Sequence, residues 1–232
     1  MKILEQVGFF GPIDKKDLLL NIGRILTEFG KKVLIIDGTY LQRLRYVVPK
    51  IGEGQSVTYI SEYCGVDVAV GFMNARGIMQ YLGTNDLPYD FIFIDTDNIQ
   101  TFNSYGLAYM KKLFFVTSYD RYEVGKAKEV FSFFQQPITM KRVIISSDTS
   151  KEQQEALNRE YDEIPNIKFE NQDIVFADTN QDREFTLENQ LTKSISYKHY
   201  TNGYKDDLEY ITATIAEGSV DQTFIKRIIK QS

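Results

Sequence analysis

The residues with most capacity for chemistry stand together near the start of the chain. Gly11-Pro12-Ile13-Asp14-Lys15-Lys16 follows a strand-like run, Ile3 to Phe10. It precedes a segment in which Leu18, Leu19, Ile22, Ile25, Leu26 and Phe29 recur at helical spacing. A loop that leaves a strand and enters a helix presents unpaired backbone N–H groups and the positive end of the helix dipole. Folds of this kind hold a phosphate there. Gly11 offers close backbone approach, and Lys15 and Lys16 bring positive charge. Two neighbours oppose this. Pro12 has no N–H to donate. Asp14 places a carboxylate where a phosphate would lie, and like unit charges about 4 Å apart repel by about 4 kcal/mol at an effective dielectric of about 20. Lys15 or Lys16 would have to neutralise it.

Further candidates follow strand-like runs. Asp37 closes Val33 to Ile36, Asp95 closes the run that begins at Tyr89, and Thr117 closes Leu113 to Val116. Each acid either caps the turn behind it or takes part in a site. Other chemistry is sparse. His199 is the one histidine and sits in a polar run, and no G-x-S-x-G turn accompanies it. One histidine and one cysteine, Cys64, make no zinc site without carboxylates. A single cysteine also forms no internal disulfide, which suits a reducing, cytosolic setting. The net charge of −5 argues against a general polyanion binder, and no nucleic-acid motif is present. The chain starts straight into a strand, so no signal peptide is expected. No apolar run approaches the roughly 20 residues that span a bilayer.

The elements that position these groups alternate. After the first strand, the helix and Gly30 comes the strand Val33 to Ile36, which makes a right-handed βαβ crossover. The segment Gly38 to Tyr46 is polar and basic, with Arg43 and Arg45. Val57 to Phe72 holds two short strands around Gly65, and Asn74 to Leu82 is a helix. Tyr89 to Asp95 is a core strand, Gly106 to Lys112 a short helix and Leu113 to Thr117 a strand. Arg121 to Phe134 is a helix, Lys141 to Ser146 a strand and Lys151 to Tyr161 a helix. The run from Asp162 to Asp173 reads as solvated surface. Asp173 to Ala177 is a strand and Tyr204 to Glu217 a helix. Strands alternating with helices over 232 residues predict one α/β domain over 1–217, a doubly wound, mostly parallel sheet with helices on both faces. In such sheets ligands bind at the carboxyl ends of the strands, which gathers Gly11, Asp37, Asp95 and Thr117. A tail, 218–232, follows.

The blocks GKKVLIID, YDFIFIDT, LFFVTSYDRYEVGKAKEVF and IVFADTNQDREFTLENQLTKSIS, in that order, resemble the ParA/MinD family of deviant P-loop ATPases. The likeness runs over residues 2 to about 215. The family loop K-G-G-x-G-K-[ST] falls on Phe10 to Lys16. By this resemblance Gly11, Lys15 and Lys16 are the nucleotide-binding residues, Asp95 matches the acid that holds Mg²⁺ through water, and Asp37 the acid that positions the attacking water. Four positions depart from the motif. The signature lysine is Phe10, two glycines are Pro12 and Asp14, and the metal-binding hydroxyl is Lys16. Thr39 replaces the second acid of the D-x-D pattern. ATP and Mg²⁺ are therefore the implied cofactors, with hydrolysis lost or weakened.

In the tail, Phe224, Ile225, Ile228 and Ile229 fall on one side of a helix, with Lys226, Arg227 and Lys230 on its flanks and other side. A basic amphipathic helix lies in anionic membrane interfaces. This one is similar to the membrane-targeting tail of MinD-type members, and its alternative is to pack on the protein's own surface or on a partner. The resemblance implies a cytosolic positioning or assembly factor for a plasmid, pilus, secretion or division apparatus. Such a factor would have a protein partner, a homodimer and peripheral membrane contact. Two alternatives stay open: an ATPase cycling between monomer and ATP-bound dimer, and a small-molecule enzyme on a doubly wound sheet.

Overall fold

The structure is a computed structural model that describes residues 4–50, 57–146, 150–162, 164 and 166–231. β1 (Glu5–Phe10), α1 (Lys16–Glu28) and β2 (Val33–Asp37) form the opening crossover. α1 ends where Gly30 turns to φ 70° and its N–H bonds the Thr27 carbonyl at 2.9 Å, the left-handed exit that glycine makes without strain. β3 (Tyr59–Tyr63) and β4 (Val66–Val70) are an antiparallel hairpin. Its two-residue turn is Cys64 at φ 52° and Gly65 at φ 84°, the positive-φ pair that matches strand twist.

α2 (Ala75–Leu82), β5 (Phe91–Thr96), α3 (Ile99–Ser104), β6 (Lys112–Thr117), α4 (Arg121–Phe131), β7 (Ile138–Ser146) and α5 (Lys151–Asp162) come next. β8 (Ile167–Phe169), β9 (Ile174–Ala177), α6 (Asn180–Thr192), α7 (Asn202–Ala216) and α8 (Gln222–Gln231) complete the described chain.

The sheet order is β3-β4-β2-β5-β1-β6-β7-β8, and β9 pairs with the far half of β7. Every pairing except β3 with β4 is parallel. The fold class predicted from the sequence is the one observed. Two cores form, one on each face. α1, α7 and α8 close the first over Val7, Phe9, Ile35 and Phe93. α2, α3, α4 and α5 close the second over Phe10, Ile36, Ile94 and Phe115. Phe9 and Phe10 thus enter opposite cores, because successive strand residues alternate faces.

Four local readings are corrected. Gly106 to Lys112 is not an α-helix: Leu107–Tyr109 forms one 3₁₀ turn, and Lys112 already belongs to β6. α3 is an additional helix, capped where the Asn98 side chain accepts the Thr101 N–H at 2.9 Å. α6 has no apolar stripe to announce it. Its buried residues are Asp182, Phe185 and Asn189, and Asp182 closes a capping box with Thr179. Finally, the run expected to be solvated surface contains β8. Asp173 pairs there with buried Arg142, which also donates to Asn158 Oδ1 and stacks 4.9 Å from the Phe169 ring.

Candidate functional site

The sheet register builds the site. Asp37 pairs with Asp95 across β2 and β5, and Phe10 pairs with Thr96 across β1 and β5. The Gly11 N–H continues the ladder to the Thr96 carbonyl at 3.0 Å, and the Gly38 N–H reaches the Asp95 carbonyl at 2.9 Å. Gly11 has φ 146°, and a Cβ there would stand 1.9 Å from the Val116 carbonyl oxygen. The loop therefore leaves the sheet through a position that only glycine fills.

Lys15, at the start of α1, has 1% of its surface exposed. Its ammonium donates to the Gly11 carbonyl at 2.7 Å and the Ile13 carbonyl at 2.9 Å, and it lies 2.9 Å from Asp95 Oδ1 as an ion pair, although that oxygen has no hydrogen-bond donor aimed at it. Burial above all, with nearby Asp37 adding to it and Lys15 pulling against it, pushes the Asp95 carboxyl up to about 7. Asp37 is buried too, and burial raises its pKa. Its Oδ1 accepts the Thr39 N–H at 3.2 Å and the Thr39 hydroxyl at 2.7 Å, and its Oδ2 accepts the Leu44 N–H at 3.0 Å. Those bonds make Asp37 the organiser of the turn after β2. Thr39 is a partner of this acid.

Asp14 and Lys16 face each other in front of the loop. Asp14 accepts the Lys16 N–H at 3.1 Å, the Lys16 ammonium at 2.9 Å and the Arg43 guanidinium at 2.9 Å. Burial raises the Asp14 pKa, but the two cations outweigh it and hold the carboxyl below its ordinary value. Burial likewise lowers the Lys16 pKa, and Asp17 and Asp14 together more than reverse this. The Lys16 ammonium also lies 2.8 Å from Asp17. Linkage follows from the two directions: the depressed Asp14 carboxyl stabilises the fold above its unfolded pKa, and this is lost as pH falls through the folded value. Lys16 stabilises below its unfolded pKa, and this is lost as pH rises through its raised one.

The space enclosed by Lys15, Asp14, Asp37, Arg43, Asp95 and Asp97 is about 30 Å³, room for about one or two waters. As arranged, the cradle does not fit a row of phosphates. Its lysine is spent on the chain's own oxygens, and a carboxylate stands among its donors. No cluster of His, Cys, Asp or Glu suited to a metal ion occurs among the described residues.

The structure therefore brings together Gly11, Lys15, Lys16, Asp37 and Asp95. Thr117 follows Val116, whose carbonyl abuts Gly11, but its hydroxyl turns away from the cradle to lie 3.2 Å from the Tyr161 hydroxyl. The structure adds Arg43, which the sequence marked only as part of a basic segment. The signal was the Asp-Gly-Thr turn at 37–39, a side-chain-organised turn that folds the following residues back over the first loop.

The tail helix α8 turns its isoleucines inward. Ile225 and Ile229 are 0% and 2% exposed, in one core with α1 and α7, and Ile228 packs partly buried beside them. Phe224 is half exposed and meets Phe29 edge-on with centroids 6.4 Å apart. Lys226 and Arg227 are exposed, and Lys226 approaches Glu209 at 3.7 Å. The side that would enter a membrane interface is thus the side packed on the protein, so membrane binding through it requires α8 to detach. Ile225→Ala should cost about 2–5 kcal/mol in denaturant unfolding, the range for truncating a buried isoleucine. A loss under about 0.5 kcal/mol would mean that the helix is not seated in solution. No described helix is long and apolar enough to cross a membrane.

The sheet order, the loop after β1 and the acids at the ends of β2 and β5 define a P-loop NTPase fold of the ParA/MinD type. Comparison with solved structures finds this fold directly. The ParA family ATPase from Chlorobium tepidum TLS superposes with a TM-score of 0.56 at 13% identity, covering 99% of this chain and 97% of that one. A chain of the MinC:MinD cell division protein complex of Aquifex aeolicus gives 0.55 at 15% identity, covering 94% and 97%. Cobyrinic acid a,c-diamide synthase from Mycobacterium smegmatis, with bound ATP analog and magnesium, gives 0.56 at 14% identity, also covering 94% and 97%. At these identities the likeness is one of fold. No protein-family model matches the sequence, and a comparison with curated proteins gives no match.

Proposed function

We propose that this protein is a ParA/MinD-like positioning or assembly factor that acts through protein contacts, with ATP hydrolysis lost or weakened. The observation that carries this reading is the state of Lys15: buried, hydrogen-bonded to the Gly11 and Ile13 carbonyls and ion-paired with Asp95. A lysine so buried and so held must leave the chain's own oxygens to serve a phosphate. Asp14 in the cradle and Phe10 in the core point the same way. On this reading residues 1–217 are the working domain and 218–232 a tail docked on it. The partners are a protein and a second copy of the chain, in the cytosol, and any dimer forms without nucleotide between its halves. The outward row Phe224, Lys226 and Arg227 is a contact surface for a partner, and peripheral membrane contact is conditional on undocking of α8.

The test is a thermal-shift series with ATP, ADP and Mg²⁺, run beside a phosphate-release assay. A ligand at about 100 times its Kd stabilises by about 2.7 kcal/mol, or roughly 5–11 °C for a chain of this size. No shift at millimolar nucleotide is expected. A shift accompanied by steady phosphate release would replace this reading with a second one, a cycling ATPase. The convergence of Lys15, Asp37 and Asp95 at adjoining strand ends favours that second reading. Should Mg²⁺ with ATP bind, Asp95 and Asp37 are the acids placed to meet the metal and the attacking water. A fold shared with a small-molecule synthase leaves an enzyme of another kind as the third class.

A further inference from the structure

A cleft of about 450 Å³ opens beside the loop, bounded by the start of α1, the ends of β7 and β9, and α6. That size lies within the roughly 300–1,000 Å³ of small-molecule sites. Leu18, Ile145, Phe176 and Tyr204 give it an apolar floor. Ile13, Asp14 and Lys16 line both this cleft and the 30 Å³ cradle. The wall between the two spaces is therefore made of three loop residues, and it is held by one carboxylate. Asp14 binds the backbone and ammonium of Lys16 in its own loop, and Arg43 from the turn after β2. A single side chain thus ties two strand-end loops together across the mouth of the cradle.

We infer that the Asp14–Lys16–Arg43 cluster is an autoinhibitory clamp, in which the carboxylate takes the donors a phosphate would take and walls the cradle off from the cleft. Removing the Asp14 charge releases the Arg43 guanidinium, leaves the Lys16 ammonium on Asp17 alone, and takes away the repulsion that opposes an incoming oxyanion. Cleft and cradle then join, and the pair admits a nucleoside phosphate. The inference rests on the closed-loop reading proposed above, and the experiment separates the two.

Asp14→Asn keeps the side-chain shape and removes the charge. Asp14→Gly removes the side chain altogether and serves if the asparagine variant misfolds. Each full-length variant and the unaltered protein is titrated with ATP and Mg²⁺, with ADP, and with inorganic pyrophosphate, in a thermal-shift assay backed by calorimetry. Circular dichroism checks the fold. The unaltered protein is expected to show no shift. Asp14→Asn is expected to bind at least about tenfold more tightly, with a rise of roughly 3–6 °C at about ten times its Kd. A rise with pyrophosphate as well assigns the gain to the phosphates, as the clamp requires. Folded Asp14→Asn and Asp14→Gly that stay silent toward all three probes overturn the clamp and leave the closed-loop reading standing. An unaltered protein that already binds ATP as tightly as Asp14→Asn overturns both.

Discussion

Replacing Phe10 by lysine, the residue that the resemblance places there, is expected to prevent stable folding. Phe10 is 1% exposed and packs among Phe102, Phe131, Phe115 and Phe134, with ring centroids 5.5, 5.6, 6.0 and 6.0 Å away. Losing a buried phenylalanine costs about 3–5 kcal/mol by itself. The lysine must then bury an ammonium among aromatic rings or give up its proton there, each at a further cost of several kcal/mol. The sum is comparable with the whole stability of an ordinary domain, about 5–15 kcal/mol. The measurement is soluble yield and urea unfolding of Phe10→Lys beside Phe10→Leu, which should lose under about 1.5 kcal/mol. A Phe10→Lys protein with a near-unaltered unfolding midpoint would mean that the end of β1 turns its side chain toward the loop. The signature lysine cannot be restored here by one substitution, because the position belongs to the second core.

The second large effect concerns Lys15. A lysine whose only task is to hold phosphate can be replaced with little loss of stability. Lys15→Met in this protein strips the Gly11 and Ile13 carbonyls of their buried donor and leaves the Asp95 carboxylate, itself 3% exposed, without a counter-charge. Breaking a buried pair in this way costs about 3–5 kcal/mol, a fall of roughly 6–20 °C in Tm. The loss should depend on pH. Asp95, pushed up to about 7 by burial against the pull of Lys15, keeps its proton in the folded protein between its unfolded pKa near 4 and about 7. Stability from this group therefore declines as pH rises through that window. Without Lys15 the folded pKa rises further and the decline extends upward, so Lys15→Met should lose more at pH 8 than at pH 6. Adding Asp95→Asn should recover part of the loss at pH 8, since no unpaired charge then remains. A Lys15→Met protein within about 2 °C of the unaltered Tm at pH 8 would show a lysine that is free for ligand, and the closed-loop reading would fall with it.

The sequence determined the frame of this protein. The Val-Leu-Ile-Ile run at 33–36, Val7 to Phe10 before Gly11 and Phe91 to Ile94 before Asp95 are short apolar runs rich in β-branched and aromatic residues, as expected of strands buried on both faces. The stripe from Leu18 to Phe29 has one helical period, and Gly30 ends it. These local signals fix the parallel sheet, its crossovers and the loop before α1, and with them the strand ends that carry Asp37 and Asp95. Elements held by polar side chains left no such trace. α6 is anchored by Asp182 and Asn189, α3 by its Asn98 cap, and β8 survives in a charged run because Arg142 lies over its Phe169 ring and pairs with Asp173 beyond it.

What only the tertiary structure decided is the state of the site. One sequence of loop residues, Gly11 to Lys16, is compatible with an open phosphate cradle and with a closed one. The difference lies in where three charged groups find partners. Asp95 waits 80 positions along the chain to take the Lys15 ammonium, and Arg43 arrives from the next loop to take Asp14. Such pairings depend on sheet register and on the fold of a neighbouring turn, and no period or motif within the loop encodes them. The same holds at the other end of the chain. The amphipathic pattern of α8 gave its isoleucines a common side, and the groove left between α1 and α7 decided that this side faces the protein.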